Sequence, residues 1–204
     1  MGILKGNRAL SRYRLAEALT PEFTEEFIGE RLQKFAFVDI ERSSEESSTG
    51  WVELLNDLGA DFAIGSYKFG PNYAFHLRVD ARRLSPKILS RYFHIAEADF
   101  YEKMGRKPNK TVRLEMREKL RLDLLKRTLL STDLYEVIWL VQQNEIWLGA
   151  AGEKIRAVFE ESWLQTFGLS IRLLVPITLG LELTAPERRL ALMDLKPSLL
   201  GSED

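Results

Sequence analysis

The spacing of apolar residues predicts a strand and then a helix at the start of the chain. Apolar and polar residues alternate over residues 10–15, which is typical of a half-buried strand. A helix is expected from Thr20 and Pro21, an N-cap residue and a first-turn proline, to about Phe35. A polar segment over residues 39–49 follows it. The apolar face of this helix is formed by residues at helical spacing: Phe23, Phe27, Ile28 and Leu32.

Two further strands are predicted near residues 61–67 and 73–79. The segment 69–72 between them contains Gly70 and Pro71, which favour the turn of a β-hairpin. In the second strand alternate residues are apolar, as in an antiparallel strand that has one face in the core. These residues are Tyr73, Phe75, Leu77 and Val79.

The middle of the chain predicts a long helical hairpin. A Ser-Pro pair at positions 85–86 begins a helix that extends to about Met104. Residues 105–109 interrupt this helix, and Asn109 can cap a second helix that reaches about Leu130. Two helices of this length with a short connector are expected to lie antiparallel over about 30 Å.

The last third of the chain returns to strand periodicity. Residues 135–141 and 146–148 flank a polar turn and predict a β-hairpin. Residues 151–167 are helical in pattern, Gly168 ends that helix, and 169–175 predict a final strand. Antiparallel hairpins with interposed helices predict an α+β fold, with antiparallel sheets, packed helices and a projecting long helical hairpin.

This pattern divides the chain into four predicted parts. Residues 1–84 form the N-terminal α+β portion of the core, and residues 85–131 form the basic helical hairpin. Residues 132–185 form a C-terminal ββαβ portion, and 186–204 form a polar tail. The two portions that flank the hairpin are expected to build one core.

Composition excludes several classes of protein. The chain has 204 residues and no cysteine, which excludes a disulfide scaffold, a thiolate metal site and a cysteine nucleophile. Its most apolar run, residues 171–183, is short and interrupted by charge and proline, so a soluble cytoplasmic protein without membrane contact is expected. The formal net charge of -1 argues, as an average, against nucleic-acid binding.

The charges, however, are unevenly distributed along the chain. Residues 39–61 contain seven acidic residues and one basic residue, whereas residues 103–127 contain ten basic and three acidic residues. Arg106 and Lys107 lie at the tip of the predicted hairpin. Four basic residues of the second helix fall within an arc of about 80° at 100° per residue. They are Lys110, Arg113, Arg117 and Arg121.

Three interpretations of this basic stripe stay open on charge alone. It fits a surface that binds nucleic acid or another polyanion, an ordinary solvated helix face, or a contact with an acidic partner protein. No catalytic pattern competes with them, because His76 and His94 are isolated and Glu97 and Asp99 do not share a helix face. No metal site, cofactor or catalytic residue is therefore predicted, and the four tryptophans are expected in the core.

Short motifs also occur in a defined order between about residues 10 and 179. They are Arg12-Tyr-Arg-Leu15, Phe35-Ala-Phe37, Gly50-Trp-Val52, Leu84-Ser-Pro86, Gly105-Arg-Lys107, the basic positions Lys110, Arg113 and Arg117, and Trp139. In this order and spacing the sequence resembles the recombination-associated RdgC family, as a short form that lacks the C-terminal portion of longer members. One departure is Leu129, which stands where family members often have an aromatic residue at the interface of the hairpin.

The resemblance implies a protein without enzymatic activity that binds duplex or single-stranded DNA with little sequence preference. It implies that the protein limits access of the RecA recombinase to DNA at the nucleoid. It also implies a ring-shaped homodimer in which the hairpin is a finger. The residues expected to face DNA are Arg83, Arg106, Lys107, Lys110, Arg113 and Arg117 by matching position, and Arg121 by the helical stripe.

A second hypothesis needs no DNA. The basic hairpin can instead dock against an acidic protein surface, including residues 39–61 of another copy of the chain. In that case the protein acts through protein contacts and self-association.

Overall fold

The computed structural model describes residues 9–195 except positions 18, 22, 44 and 64. Within that part of the chain the strands are β1 (Ser11–Leu15), β2 (Ser47–Glu53), β3 (Lys68–Phe69), β4 (Asn72–Arg82), β5 (Leu130–Leu140), β6 (Glu145–Leu148) and β7 (Ile171–Leu173). The helices are α1 (Glu25–Lys34), α2 (Pro86–Met104), α3 (Lys110–Lys126), α4 (Glu153–Phe167), α5 (Pro176–Leu183) and α6 (Arg189–Met193). A short 3-10 helix over Pro186–Arg188 precedes α6.

The strands form one seven-stranded antiparallel sheet. Its order is β2-β4-β5-β6-β1-β7, and β3 pairs with β4. Tyr13 of β1 lies opposite Ile146 on one side and Leu173 on the other. The predicted α+β class with an antiparallel sheet and packed helices is confirmed, whereas the projection of the helical hairpin stays a prediction.

The described part of the chain divides into two compact units, and the first lies within residues 9–28, 68–74 and 136–195. Its core is aromatic: the ring of Trp163 lies 4.9 Å from that of Trp139 and 4.6 Å from that of Phe167. Tyr13 packs on Phe159 with the ring centroids 5.3 Å apart. All these rings are buried, which confirms the core position predicted for Trp139 and Trp163.

The second unit consists of residues 29–67 and 75–135. Trp51 and Phe75 meet edge to face in its core, with ring centroids 5.1 Å apart. Gly50 is required there, because a Cβ atom at this position would lie 2.5 Å from the Cα atom of Phe37. The close approach allows the Phe37 N–H to donate to the carbonyl oxygen of Trp51 at 2.9 Å.

The strand predicted over residues 61–67 is wrong. The described residues of this segment contain no strand, and position 64 lies outside the description. Phe62 has a positive φ of 46° and packs on Tyr67 with ring centroids 6.3 Å apart. Its apolar residues therefore fill the core from an irregular loop, and β4 pairs instead with β2, whose first half belongs to the polar segment.

Several predicted boundaries also move. Helix α1 begins at Glu25 rather than at Thr20, because the hydroxyl of Thr24 accepts the N–H of Phe27 at 3.2 Å and caps the first turn. The final strand shortens to β7, since Pro176 occupies the first turn of α5. Helix α6 lies within the predicted polar tail, and residues 196–204 of that tail lie outside the described residues.

A buried ion pair stabilises the second unit. Asp80 is fully buried in β4 and accepts two hydrogen bonds from the Arg78 guanidinium, at 3.0 and 2.8 Å. The same guanidinium lies 4.2 Å from the centre of the Phe37 ring and donates to the carbonyl oxygen of Asp57. The hydrogen bond to Asp80 raises the pKa of Arg78, so the guanidinium keeps its positive charge.

We predict that Asp80→Ala lowers the free energy of unfolding by about 3 kcal/mol, because it leaves the Arg78 guanidinium without its carboxylate in a mostly buried position. Urea unfolding followed by circular dichroism measures this change. Asp133→Ala is the matched control: it removes the carboxylate partner of Arg83 in an exposed pair and is expected to have little effect. Equal losses in the two variants would contradict this account of the buried pair.

Candidate nucleic-acid interface

The helical hairpin is built by local signals at its connector. Helix α2 ends at Gly105, which has a φ of 66° and donates its N–H to the carbonyl oxygen of Tyr101. Helix α3 begins after Asn109, whose side-chain oxygen accepts the N–H of Val112 at 2.9 Å. Helices α2 and α3 contact each other along the hairpin, and each buries one residue, Phe93 and Leu125.

Four of the seven predicted site residues are exposed cations with no acidic partner among the described residues. Two of them lie in the connector and two lie in the first half of α3. They are Arg106, Lys107, Lys110 and Arg117. Because repulsion between like charges on one helix face is not relieved here by carboxylates, these groups are available to an external anion.

Arg113 lies in the same stripe but has partners on α2. Its Nε atom is 2.9 Å from a carboxylate oxygen of Glu97, and its guanidinium lies 5.6 Å from the centre of the Phe93 ring. The Glu97 carboxylate also lies 3.8 Å from the ring of His94. Arg113 therefore connects the two helices, and its charge is partly neutralised.

Arg121, at the far end of the stripe, is held by carboxylates. Its guanidinium makes two hydrogen bonds to Glu46, at 2.9 and 2.7 Å, and one to Glu118 at 3.2 Å. The hydrogen bonding of the Arg121 guanidinium to the Glu46 carboxylate is the main reason that the pKa of Arg121 is raised. Glu46 belongs to the acidic segment 39–61, so acidic and basic segments meet within one chain at this point.

Arg83 lies apart from the stripe, just before α2 begins. Its guanidinium pairs with Asp133 of β5 at 2.6 Å, and about two thirds of the Arg83 side chain is exposed. The predicted set therefore separates into four cations without carboxylate partners and three arginines held by ion pairs.

A groove of about 540 Å³ lies beside the stripe. Its rim is basic, whereas its remaining lining includes apolar side chains that the charge pattern did not identify. The lining includes Phe93, Pro108, Lys110, Arg113, Leu114 and Arg117. The signal that could have indicated this groove is a leucine at position 114 in a strongly polar helix sequence, and its side chain is 72% exposed.

A second groove of about 430 Å³ shares Pro108 and Arg113 with the first. It is lined further by Tyr101 and Lys107, together with His94, Glu97 and Ala98. Tyr101 is 54% exposed although it is a large aromatic residue. The connector of the hairpin therefore combines free positive charge with exposed apolar surface.

In the part of the chain that the structure describes, no three histidine, aspartate or glutamate side chains are grouped so that they could hold a metal ion. None of the helices in those ranges is both long and apolar enough to cross a membrane.

A family model described as "Putative exonuclease, RdgC" matches residues 8–170, which include β1 to α4 and the whole helical hairpin. No curated protein matches the sequence. Since the match covers most of the chain, from the first strand through both helices of the hairpin, this protein belongs to the RdgC family.

Proposed function

We propose that the chain binds DNA without sequence preference through the hairpin and thereby limits access of the RecA recombinase. The observation that carries the proposal is the set of four exposed cations without carboxylate partners in the described chain: Arg106, Lys107, Lys110 and Arg117. Basic side chains that neutralise phosphates release condensed counterions, and this provides affinity that is independent of sequence. Membership of the RdgC family fits a recombination-related role.

The three paired arginines have secondary roles in this proposal. Arg113 orients the stripe through Glu97, while Arg121 and Arg83 reach a phosphate only when they leave Glu46 and Asp133. Exchange of an exposed carboxylate for a phosphate costs little, because exposed ion pairs contribute only about 0–1 kcal/mol. The contact area between the protein and DNA thus extends from the connector along α3 as phosphates replace the carboxylate partners of these arginines.

The proposal includes a DNA-bound homodimer at the nucleoid that acts by occupancy and without catalysis. A protein that covers phosphates excludes a recombinase filament from the same stretch of DNA. The resemblance of the connector and stripe to the finger of the RdgC ring supports the dimer. The family description contains the word exonuclease, which names a catalytic alternative to this proposal. The length of the DNA during a strand-exchange reaction distinguishes the two.

The alternative partner is an acidic protein surface. It is favoured by the contact between Arg121 and Glu46, in which the acidic segment already engages the basic helix within one chain. Self-association through the same charges would weaken with salt, which light scattering after size-exclusion chromatography detects. Salt-sensitive association without affinity for DNA would favour this alternative.

We predict that binding to a random duplex weakens with salt, with a log–log slope of roughly -3 to -4 for four phosphate contacts. Fluorescence anisotropy between 50 and 200 mM salt, a range over which such contacts lose much affinity, measures the slope. Lys110→Glu with Arg117→Glu is expected to abolish binding, because it reverses the two unpaired charges of the stripe.

Lys119→Glu with Lys126→Glu is the matched control for charge. Both lysines are exposed on α3, and helical geometry places them about 160–180° around the helix from Lys110. The control has the same change in net charge and is expected to retain binding to the duplex. If both double variants lose affinity equally, the stripe is not the contact.

We predict that Glu46→Gln strengthens duplex binding and steepens the salt slope by about 0.9. The substitution leaves Arg121 only its exposed contact with Glu118, which one more phosphate can replace at little cost. The same anisotropy titration measures both quantities. Glu45→Gln removes an equal charge from the adjacent exposed position and serves as the control. If the salt slope is unchanged in both variants, Arg121 does not reach DNA.

We predict that the protein slows RecA-catalysed strand exchange in proportion to its amount, while the DNA stays at full length in the presence of magnesium. Gel electrophoresis of one reaction reports both products and DNA length. The Lys110→Glu, Arg117→Glu variant is expected to lose the inhibition. Progressive shortening of the DNA by the unchanged protein would refute the non-catalytic proposal.

A further inference from the structure

We propose that the two grooves at the hairpin connector form a binding site for unpaired nucleobases of single-stranded DNA. The inference rests on the proposed function and adds a second kind of contact to it. The stripe of α3 accounts for phosphates, whereas the grooves present apolar and aromatic surface between the same cations. The ligand of the two grooves is therefore a polyanion that carries flat apolar groups along its backbone.

The first groove has the composition that such a ligand requires. Leu114 is 72% exposed and lines it together with Pro108 and the largely buried Phe93. Lys110 and Arg117, both without acidic partners in the described chain, line the same groove. A volume of about 540 Å³ lies within the range of small-ligand sites, so one nucleotide can enter it.

The second groove offers an aromatic surface. Tyr101 is 54% exposed there, and Lys107 lines the same groove with no acidic partner among the described residues. Bases of any sequence stack on aromatic side chains, because every base has a π face. Tyr101 and Lys107 thus provide one platform and one cation for a second nucleotide.

The two grooves are adjacent, because Pro108 and Arg113 line both of them. The Glu97 carboxylate lies 2.9 Å from the Nε atom of Arg113 and thereby orients the guanidinium. A guanidinium is itself a stacking surface for flat ligands. Successive nucleotides of one strand can therefore occupy the first and the second groove with Arg113 between them.

The charge around the grooves favours a nucleic acid strand over a purely apolar partner. Three unpaired cations line the two grooves, while Glu97, a carboxylate that lines the second groove, is already bound to Arg113. In a duplex the bases are stacked inside and must be extruded at an energetic cost before they can enter. Leu114 and Tyr101 should consequently contribute to binding of single strands and not of duplexes.

The test compares two oligonucleotides with equal numbers of phosphates. One is a twelve-residue thymidine strand, and the other is an abasic strand of the same length with a tetrahydrofuran at every position. The protein is expected to bind the thymidine strand at least about fivefold more tightly in anisotropy titrations at one salt concentration. Both Tyr101→Ala and Leu114→Ala are expected to reduce this ratio while leaving duplex affinity unchanged.

Two further variants separate stacking from a structural effect. Tyr101→Phe keeps the aromatic face and is expected to retain the preference for the thymidine strand. Tyr92→Ala removes a tyrosine of similar exposure, 46%, that lies on α2 but lines neither groove. It is expected to retain the preference as well, and circular dichroism confirms that each variant is folded.

The outcomes separate this inference from the proposed function. Equal affinity for the thymidine and abasic strands would overturn the base site and leave the phosphate contact intact. An undiminished ratio in both alanine variants would place the bases elsewhere and also overturn it. Failure to bind the thymidine strand, the abasic strand and the duplex would reject the proposed function together with the base site.

Discussion

The arrangement of the candidate interface depends on the ion pair between Glu97 of α2 and Arg113 of α3. The pair is partly exposed, so its direct contribution to stability is small, about 1 kcal/mol or less. Its effect is geometric: it joins the two helices near their connector and places the guanidinium beside Phe93. Because Arg113 lines both grooves, this contact determines where its guanidinium lies among the free cations.

The same helix shows how the chain controls its positive charge. At its end near the connector, Lys110 and Arg117 have no carboxylate partner in the described residues, whereas Arg121 binds Glu46 from the acidic segment. The near-zero net charge is thus a sum of segregated regions, not an even mixture. Segregation gives a strong local field with little overall attraction for polyanions, which under the proposed function would confine DNA binding to the connector and the adjacent turns.

The parts of the site that could be predicted from sequence are those set by local signals. Asn109 and Gly105 determine where the helices begin and end, and a repeat of 3.6 residues places the basic stripe on one face. The pairing of Arg121 could not be predicted, because Glu46 is 75 residues away along the chain and meets it only through the fold. The same applies to β2, because Trp51 and Val52 are the only large apolar residues in its polar sequence.

Phosphate contacts and base contacts would give the hairpin two different responses to DNA. Unpaired cations attract any strand, since every nucleotide carries the same charge. The exposed side chains of Tyr101 and Leu114 would contact bases only where these have left the stack, because extrusion from an intact duplex costs about a few kcal/mol. A recombinase must also reach unpaired bases to compare sequences. Under the proposed function, the hairpin therefore competes most strongly where DNA is open, although its charges hold it on DNA of either form.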